Sequence, residues 1–103
     1  MQIEEIQGLC KQSKIKWSIH CLERMQERDI SREDVKHCLQ NGEIIEDYPD
    51  DFPYPSCLIF GYTVNNRILH VVVGSEEKYI YIVTAYYPNT TKFENDFKTR
   101  KGR

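Results

Sequence analysis

The hydrophobic period of this chain changes once, at Glu43, and that change limits the folds open to it. Before Glu43 the apolar residues recur every three or four positions. After it they form short runs rich in Ile, Val, Tyr and Phe, punctuated by turns. Helices followed by consecutive strands with short connections make an α+β domain. At 103 residues the chain is read as a single domain, 1–103, with no internal repeat and no low-complexity linker.

The helical third divides into three pieces. Ile3, Ile6, Leu9 and Cys10 mark a first helix within residues 2–13, and Lys14-Ile15-Lys16-Trp17 is an extended link. Ser18 caps a second helix through about Ile30. Ser31 caps a third that carries Val35, Cys38 and Leu39 and ends at Asn41-Gly42, with Gly42 suited to a left-handed terminal conformation. His37 falls on the polar side of that helix. Strands are predicted at 43–48, 57–64, 67–74 and 79–87. Between the first two, Pro49, Pro53 and Pro55 make a rigid loop, and Asn65-Asn66 is a tight turn. Turns this short force antiparallel pairing of the last three strands. The expected architecture is therefore N-terminal helices packed on one face of a four-stranded, mainly antiparallel sheet. Residues 90–103 are expected to hold a short helical turn around Phe93 and Phe97 and a frayed basic end.

The second helix carries the most chemistry. At about 100° per residue, Ile19, Cys21, Leu22 and Met25 share one face, while His20, Arg24 and Arg28 fall within an arc of about 80°. Arginine offers phosphate a planar fork of donors, and histidine moves protons near neutral pH. Glu23 and Glu27 flank the strip, so ordinary charge pairing on a solvated face is the competing account. Among the strands, alternation puts His70 with Ile68 and Val72, and Thr84 and Tyr86 with Ile80 and Ile82. A histidine in so apolar a strand also suits a satisfied, partly buried position. If the second helix packs at the end of the sheet, His20, Arg24, Arg28, His70, Thr84 and Tyr86 are the groups expected to converge. Two histidines with arginines suit metal-independent cleavage of RNA, whose 2′-hydroxyl is its own nucleophile.

Charge and cysteine usage narrow the class. The net charge of −2 does not announce a nucleic-acid-binding protein. Residues 43–51 are acidic, however, and 92–103 are mainly basic. They are either a dipolar surface that steers a polyanion or two separately solvated segments. Cys10, Cys21, Cys38 and Cys57 are scattered without a Cys-x-x-Cys pair, so free thiols are expected and neither a metal site nor a cofactor is implied. No apolar run is long enough to span a bilayer, and the start of the chain lacks signal-peptide character. The expected location is cytoplasmic, without membrane contact.

The runs Trp17-Ser18-x-His20-x-x-Glu23-Arg24-Met25-x-Glu27-Arg28-x-Ile30, Gly42-Glu43-Ile44-Ile45-Glu46-Asp47-Tyr48-Pro49, Leu69-His70-Val71-Val72-Val73 and Thr84-x-Tyr86-x-Pro88, with Phe93-Glu94-x-Asp96-Phe97 and Arg100-Lys101, together resemble the DUF4258 family. That family is similar to small toxin ribonucleases of the RelE and barnase-like type. Its members are often encoded beside antitoxin-like zinc-finger proteins. The resemblance implies His20, Arg24, His70, Thr84 and Tyr86 as catalytic candidates, with Arg28, Arg100 and Lys101 as RNA-binding candidates. It implies RNA and an antitoxin-like zinc-finger protein as partners. Asp29 stands where the family commonly has Gly, and Phe93 where it commonly has Trp. Two functions follow as expectations. One is a toxin-type, metal-independent endoribonuclease of a toxin–antitoxin pair. The other is a non-catalytic module that binds protein or RNA through the same face.

Overall fold

The structure, a computed structural model, describes residues 1–76 and 78–102. Among them the elements run α1 (Ile3–Lys11), β1 (Ile15–Trp17), α2 (Ile19–Glu27), α3 (Arg32–Asn41), β2 (Glu43–Tyr48), β3 (Ser56–Tyr62), β4 (Ile68–Glu76) and β5 (Tyr79–Tyr86). The α+β architecture is as expected, and apart from β1 the helices precede the strands. The sheet is not the expected four-stranded one. It has five strands in the order β1-β5-β4-β3-β2 and is mixed. The link before α2 is itself a strand, and it pairs parallel with β5, Ile15 facing Ile80 and Trp17 facing Ile82. Three residues are too few to display a period of two, and the partner strand lies far along the chain. Neither fact is legible locally.

Serine caps start two helices as read. Ser18 Oγ accepts from Cys21 N at 3.0 Å, and Ser31 forms a reciprocal capping box with Asp34. Gly42 is not left-handed; its backbone is extended, at φ −102°. Its glycine character answers a close approach instead. A Cβ there would lie 2.4 Å from Cys38 O and 2.6 Å from Phe60 O, and one at Gly61 would lie 2.7 Å from Cys38 O. These two bare backbones let the end of α3 sit directly on β3.

The helices cover one face of the sheet. Ile6, Cys21, Met25, Val35, Cys38 and Leu39 meet Ile59, Leu69, Val71, Val73, Ile82 and Ala85 in one buried cluster. Each large aliphatic side chain so buried contributes about 1.5–3 kcal/mol. His70 points to the opposite face, as its alternation with Leu69 and Val71 requires.

Two bulges reset the alternation. In β5, Val72 faces Thr84 but Val73 faces Ile82, which leaves Val83 as the extra residue, 41% exposed. Thr84 and Tyr86 therefore do not share a side with Ile80 and Ile82 as alternation predicted. They join His70 on the far face, where His70 is directly opposite Tyr86. In β2 the register shifts between Ile44 and Glu46, which puts Glu46 beside Leu58 on that same face.

The C-terminal segment covers this second face. The expected helical turn at Phe93 and Phe97 is absent; turns and a single bridge between Phe93 and Arg100 occupy residues 91–102, with Phe97 at φ 57°. The basic segment is not simply solvated either, and its last residue, Arg103, lies outside the described residues. Lys98 pairs with Glu43 at 3.3 Å and Arg100 with Glu46 at 2.9 Å, so opposite charges expected at separate poles neutralise each other across one edge. No helix among the described residues is long and apolar enough to cross a membrane.

Candidate functional site

The α2 strip is held at the margin of the sheet. Cys21 and Met25 anchor the helix in the core, so His20 and Arg24, one turn apart, face outward and are exposed. Arg24 donates to both carboxylate oxygens of Glu27, at 2.9 and 3.2 Å. Arg28 is the residue that ends the helix. Its guanidinium reaches β5, donating to Ala85 O at 2.9 Å and to Thr84 Oγ1 at 3.3 Å. β1 covers β5 only from Ile80 to Ile82. Arg28 thus takes up a carbonyl on the stretch that β1 leaves open, and fixes α2 alongside it. Asp29 follows in the left-handed region at φ 58°, a conformation that glycine adopts freely and aspartate tolerates. Its carbonyl accepts from Tyr87 Oη at 2.9 Å, a second tie between the end of α2 and the end of β5.

His70 lies in different surroundings. It is wholly buried, ringed edge-on by Phe60, Tyr86 and Phe93 with centroids 6.1, 5.3 and 4.7 Å away. Its Nε2 is 2.7 Å from Phe97 O, and its Nδ1 is 3.2 Å from Tyr86 Oη. A carbonyl only accepts, so Nε2 carries the proton and Nδ1 of the neutral ring accepts from the tyrosine. Burial pushes the imidazole below its ordinary value of 6.5, against the upward pull of the Phe97 carbonyl and Glu46; Arg100 pushes it further down. Burial also raises the Tyr86 phenol. Beside this cluster, Arg100 forks onto Glu46 at 2.9 and 3.0 Å, and Tyr48 Oη donates to Glu46 at 2.5 Å. Burial, then the Glu46 carboxylate, pushes Tyr48 up to about 12. Among the described residues no buried side-chain nitrogen or oxygen lacks a partner, which is how a buried network is tolerated.

The structure therefore brings the expected groups together in two sets rather than one. His70 and Tyr86 meet under the tail. Arg28 and Thr84 meet at the edge of β5. His20 and Arg24 lie on the helix layer, and His70 faces away from that layer with both ring nitrogens engaged, so the two histidines do not bracket one phosphate. Arg100 stacks on Phe93 and binds Glu46 rather than standing free, whereas Lys101 is exposed. Sequence reasoning missed Glu46, Tyr48 and the Phe97 carbonyl. Their contacts span 54 residues for Glu46–Arg100 and 27 for His70–Phe97, and depend on a bulge no local pattern announces. His37 is not idle surface: its Nδ1 lies 2.9 Å from Tyr62 O and ties α3 to the end of β3. The four cysteines are separate buried thiols, and burial raises all four, Cys38 to about 12 and Cys57 to about 11. Among the described residues no group of three or more His, Cys, Asp or Glu could hold a metal ion.

The α2 motif, the β4 histidine and the last strand all fall inside one family match. The model of DUF4258, a domain of unknown function, matches residues 17–87. The chain belongs to the DUF4258 family. Comparison with curated proteins and with solved structures gives no match. The match ends at Tyr87, so the tail that closes over His70 lies beyond the matched part of this DUF4258 protein. α1 lies before it.

Proposed function

We propose that this DUF4258 protein engages RNA along the outer face of α2 and cleaves it without a metal, as a toxin-type endoribonuclease whose activity a partner protein restrains. One observation supports this above the rest. Arg28 clasps Thr84 and Ala85, and so fastens to β5 the end of the helix that carries the exposed His20 and Arg24. In the proposed reaction Arg24 turns from Glu27 to grip a phosphate with its two-pronged donor set. His20 takes the proton of a ribose 2′-hydroxyl. The O2′–P bond forms, the P–O5′ bond breaks, and the leaving oxygen takes a proton from solvent. Thr84 and Arg28 position the strand. His70, which the sequence offered as second proton carrier, has no part in this scheme. Helices on one face of a hairpin-built sheet support a likeness to RelE-type and barnase-like ribonucleases, which belongs to the same proposal. So does a zinc-finger antitoxin as the partner.

A second function has its own supporting observation. With His70 buried and engaged, His20 is the one histidine left in the expected site, on a protein of net charge −2, and a non-catalytic module binding RNA or protein needs no more than that. The two separate by comparing wild type, His20→Ala and Arg24→Lys on RNA with chelator present. Loss of a positioned acid or base costs about 10²–10⁴ in rate, so His20→Ala should abolish cleavage while folding is kept. Arg24→Lys should also lose activity, since a point charge cannot fork. Equal cleavage by wild type and His20→Ala rejects the enzyme. RNA binding without cleavage in any of the three leaves the module.

A further inference from the structure

A cavity of about 330 Å³ opens where β5 runs into the tail; it borders the His70 cluster through Tyr86, Phe93 and Arg100, and the cleavage proposed above makes no use of it. Its walls include Tyr86, Tyr87, Pro88, Thr91, Lys92 and Arg100. The shape is set in advance. Asn89 Oδ1 accepts from Thr91 N at 2.9 Å, Lys101 N donates to Lys92 O at 2.9 Å, and Phe93, 2% exposed, forms a fixed floor that the Arg100 guanidinium covers at 4.7 Å. Tyr87 is held by the Arg67 guanidinium 3.4 Å from its ring centre and by its bond to Asp29 O. Arg100 is committed to Glu46. The Lys92 side chain is exposed, and among the described residues it has no hydrogen-bond or ion-pair partner.

Rings and a proline offer flat apolar surface to a planar heterocycle, and an uncommitted ammonium at the rim offers a charge to a phosphate. The volume is at the small end for ligand pockets and suits one nucleotide. Position adds to chemistry. Tyr86 lies two residues from Thr84 on one face of β5, and Thr84 is in the grasp of Arg28. A strand of RNA lying on the α2 strip thus comes to this cavity as it passes the end of α2. We propose that the Tyr86–Lys92 cavity is a nucleotide subsite, which takes one base against its aromatic walls and that base's phosphate on Lys92. The inference rests on the RNA-directed function above and specifies where that strand is read.

The test follows amide and side-chain resonances of Tyr86, Tyr87 and Lys92 during titration with uridine and adenosine monophosphates, uridine alone and inorganic phosphate alone. The monophosphates should shift these resonances saturably. Uridine or phosphate alone should bind about fivefold or more weakly, as expected when stacking and charge each contribute. Thr91→Trp, which fills the cavity from an exposed position, should weaken monophosphate binding about tenfold, and Lys92→Ala should weaken it but leave uridine unaffected. Absence of shifts at these residues, or unchanged affinity in both variants, overturns the subsite. A short single-stranded RNA separates this from the parent function. If it binds through Arg24 but ignores Thr91→Trp and Lys92→Ala, the RNA-directed function stands and the subsite falls. If monophosphates bind in the cavity while the RNA binds no more tightly than they do and ignores Arg24→Ala, the subsite stands and the RNA-directed function falls.

Discussion

His20 and His70 are both offered by the sequence as proton carriers, yet the fold treats them as opposites. His20 stands on the outside of a helix whose inner face is already satisfied by Cys21 and Met25. It is exposed, and its helix neighbours Glu23 and Arg24 are charges that water also serves. His70 sits at the centre of the sheet, enclosed by aromatic rings, with a carbonyl on one nitrogen and a phenol on the other. The contrast shows that chemical type does not assign a role. An imidazole in solvent is available to a ligand at little cost to the fold. One buried with both nitrogens engaged has been recruited to close the domain, and its removal exposes the cost.

The strongest break of that contrast is His70→Ala against His20→Ala. The first leaves a ring-sized cavity and two orphaned partners, so unfolding free energy should fall by about 3–5 kcal/mol in denaturant titration. The second, on an exposed face, should change it by less than about 0.5 kcal/mol. Equal effects would erase the distinction.

Arg100→Ala comes next. It strips the guanidinium from Glu46, which is 11% exposed, and uncovers Phe93, so a loss of about 2–3 kcal/mol is expected by the same titration. Loosening of the tail should also show as faster amide exchange in the strands around His70.

The third prediction concerns pH. The His70 imidazole is held below its ordinary 6.5 in the folded protein, so the unfolded chain takes up the proton first as pH falls. Stability from this group is therefore complete above about pH 6.5 and is lost as pH drops below it. The groups facing it are Tyr86, the Phe97 carbonyl, Glu46 and Arg100. Melting temperature should fall between pH 7.5 and 5.5 in wild type and fall less in His70→Phe, which keeps the ring but cannot titrate. A slope the same in both proteins would assign the acid sensitivity to other groups.

The smallest effects lie at the end of α2. Arg28→Ala removes two hydrogen bonds to β5 and should cost about 1 kcal/mol. Asp29→Gly should gain up to about 1 kcal/mol, because a left-handed φ of 58° suits glycine better than aspartate. A loss at Asp29→Gly would mean that the aspartate side chain contributes more than its backbone costs.

Much of the fold was legible in the residues themselves. Ser18 and Ser31 announce helix starts because a cap is satisfied within one turn, and Asn66 takes a φ of 70° in the tight turn where it was expected. The spacing of Cys21, Leu22 and Met25 gave the inner face of α2, and with it the exposure of His20 and Arg24, but Ile19, expected on that inner face, is 76% exposed at the first turn of the helix. These are local matters, decided by atoms a few residues apart. Three outcomes were decided only by tertiary structure. Ile15–Trp17 became a strand because β5 offered it an edge. Val83 became a bulge and carried Thr84 and Tyr86 to the face of His70. Lys98 and Arg100 became tail fastenings because Glu43 and Glu46 lay beneath them. Each depends on a partner far along the chain. A hydrophobic period of 3.6 or 2 states what a segment can bury; where it meets its partner is set by the register of the assembled sheet, and one extra residue in a strand reverses it.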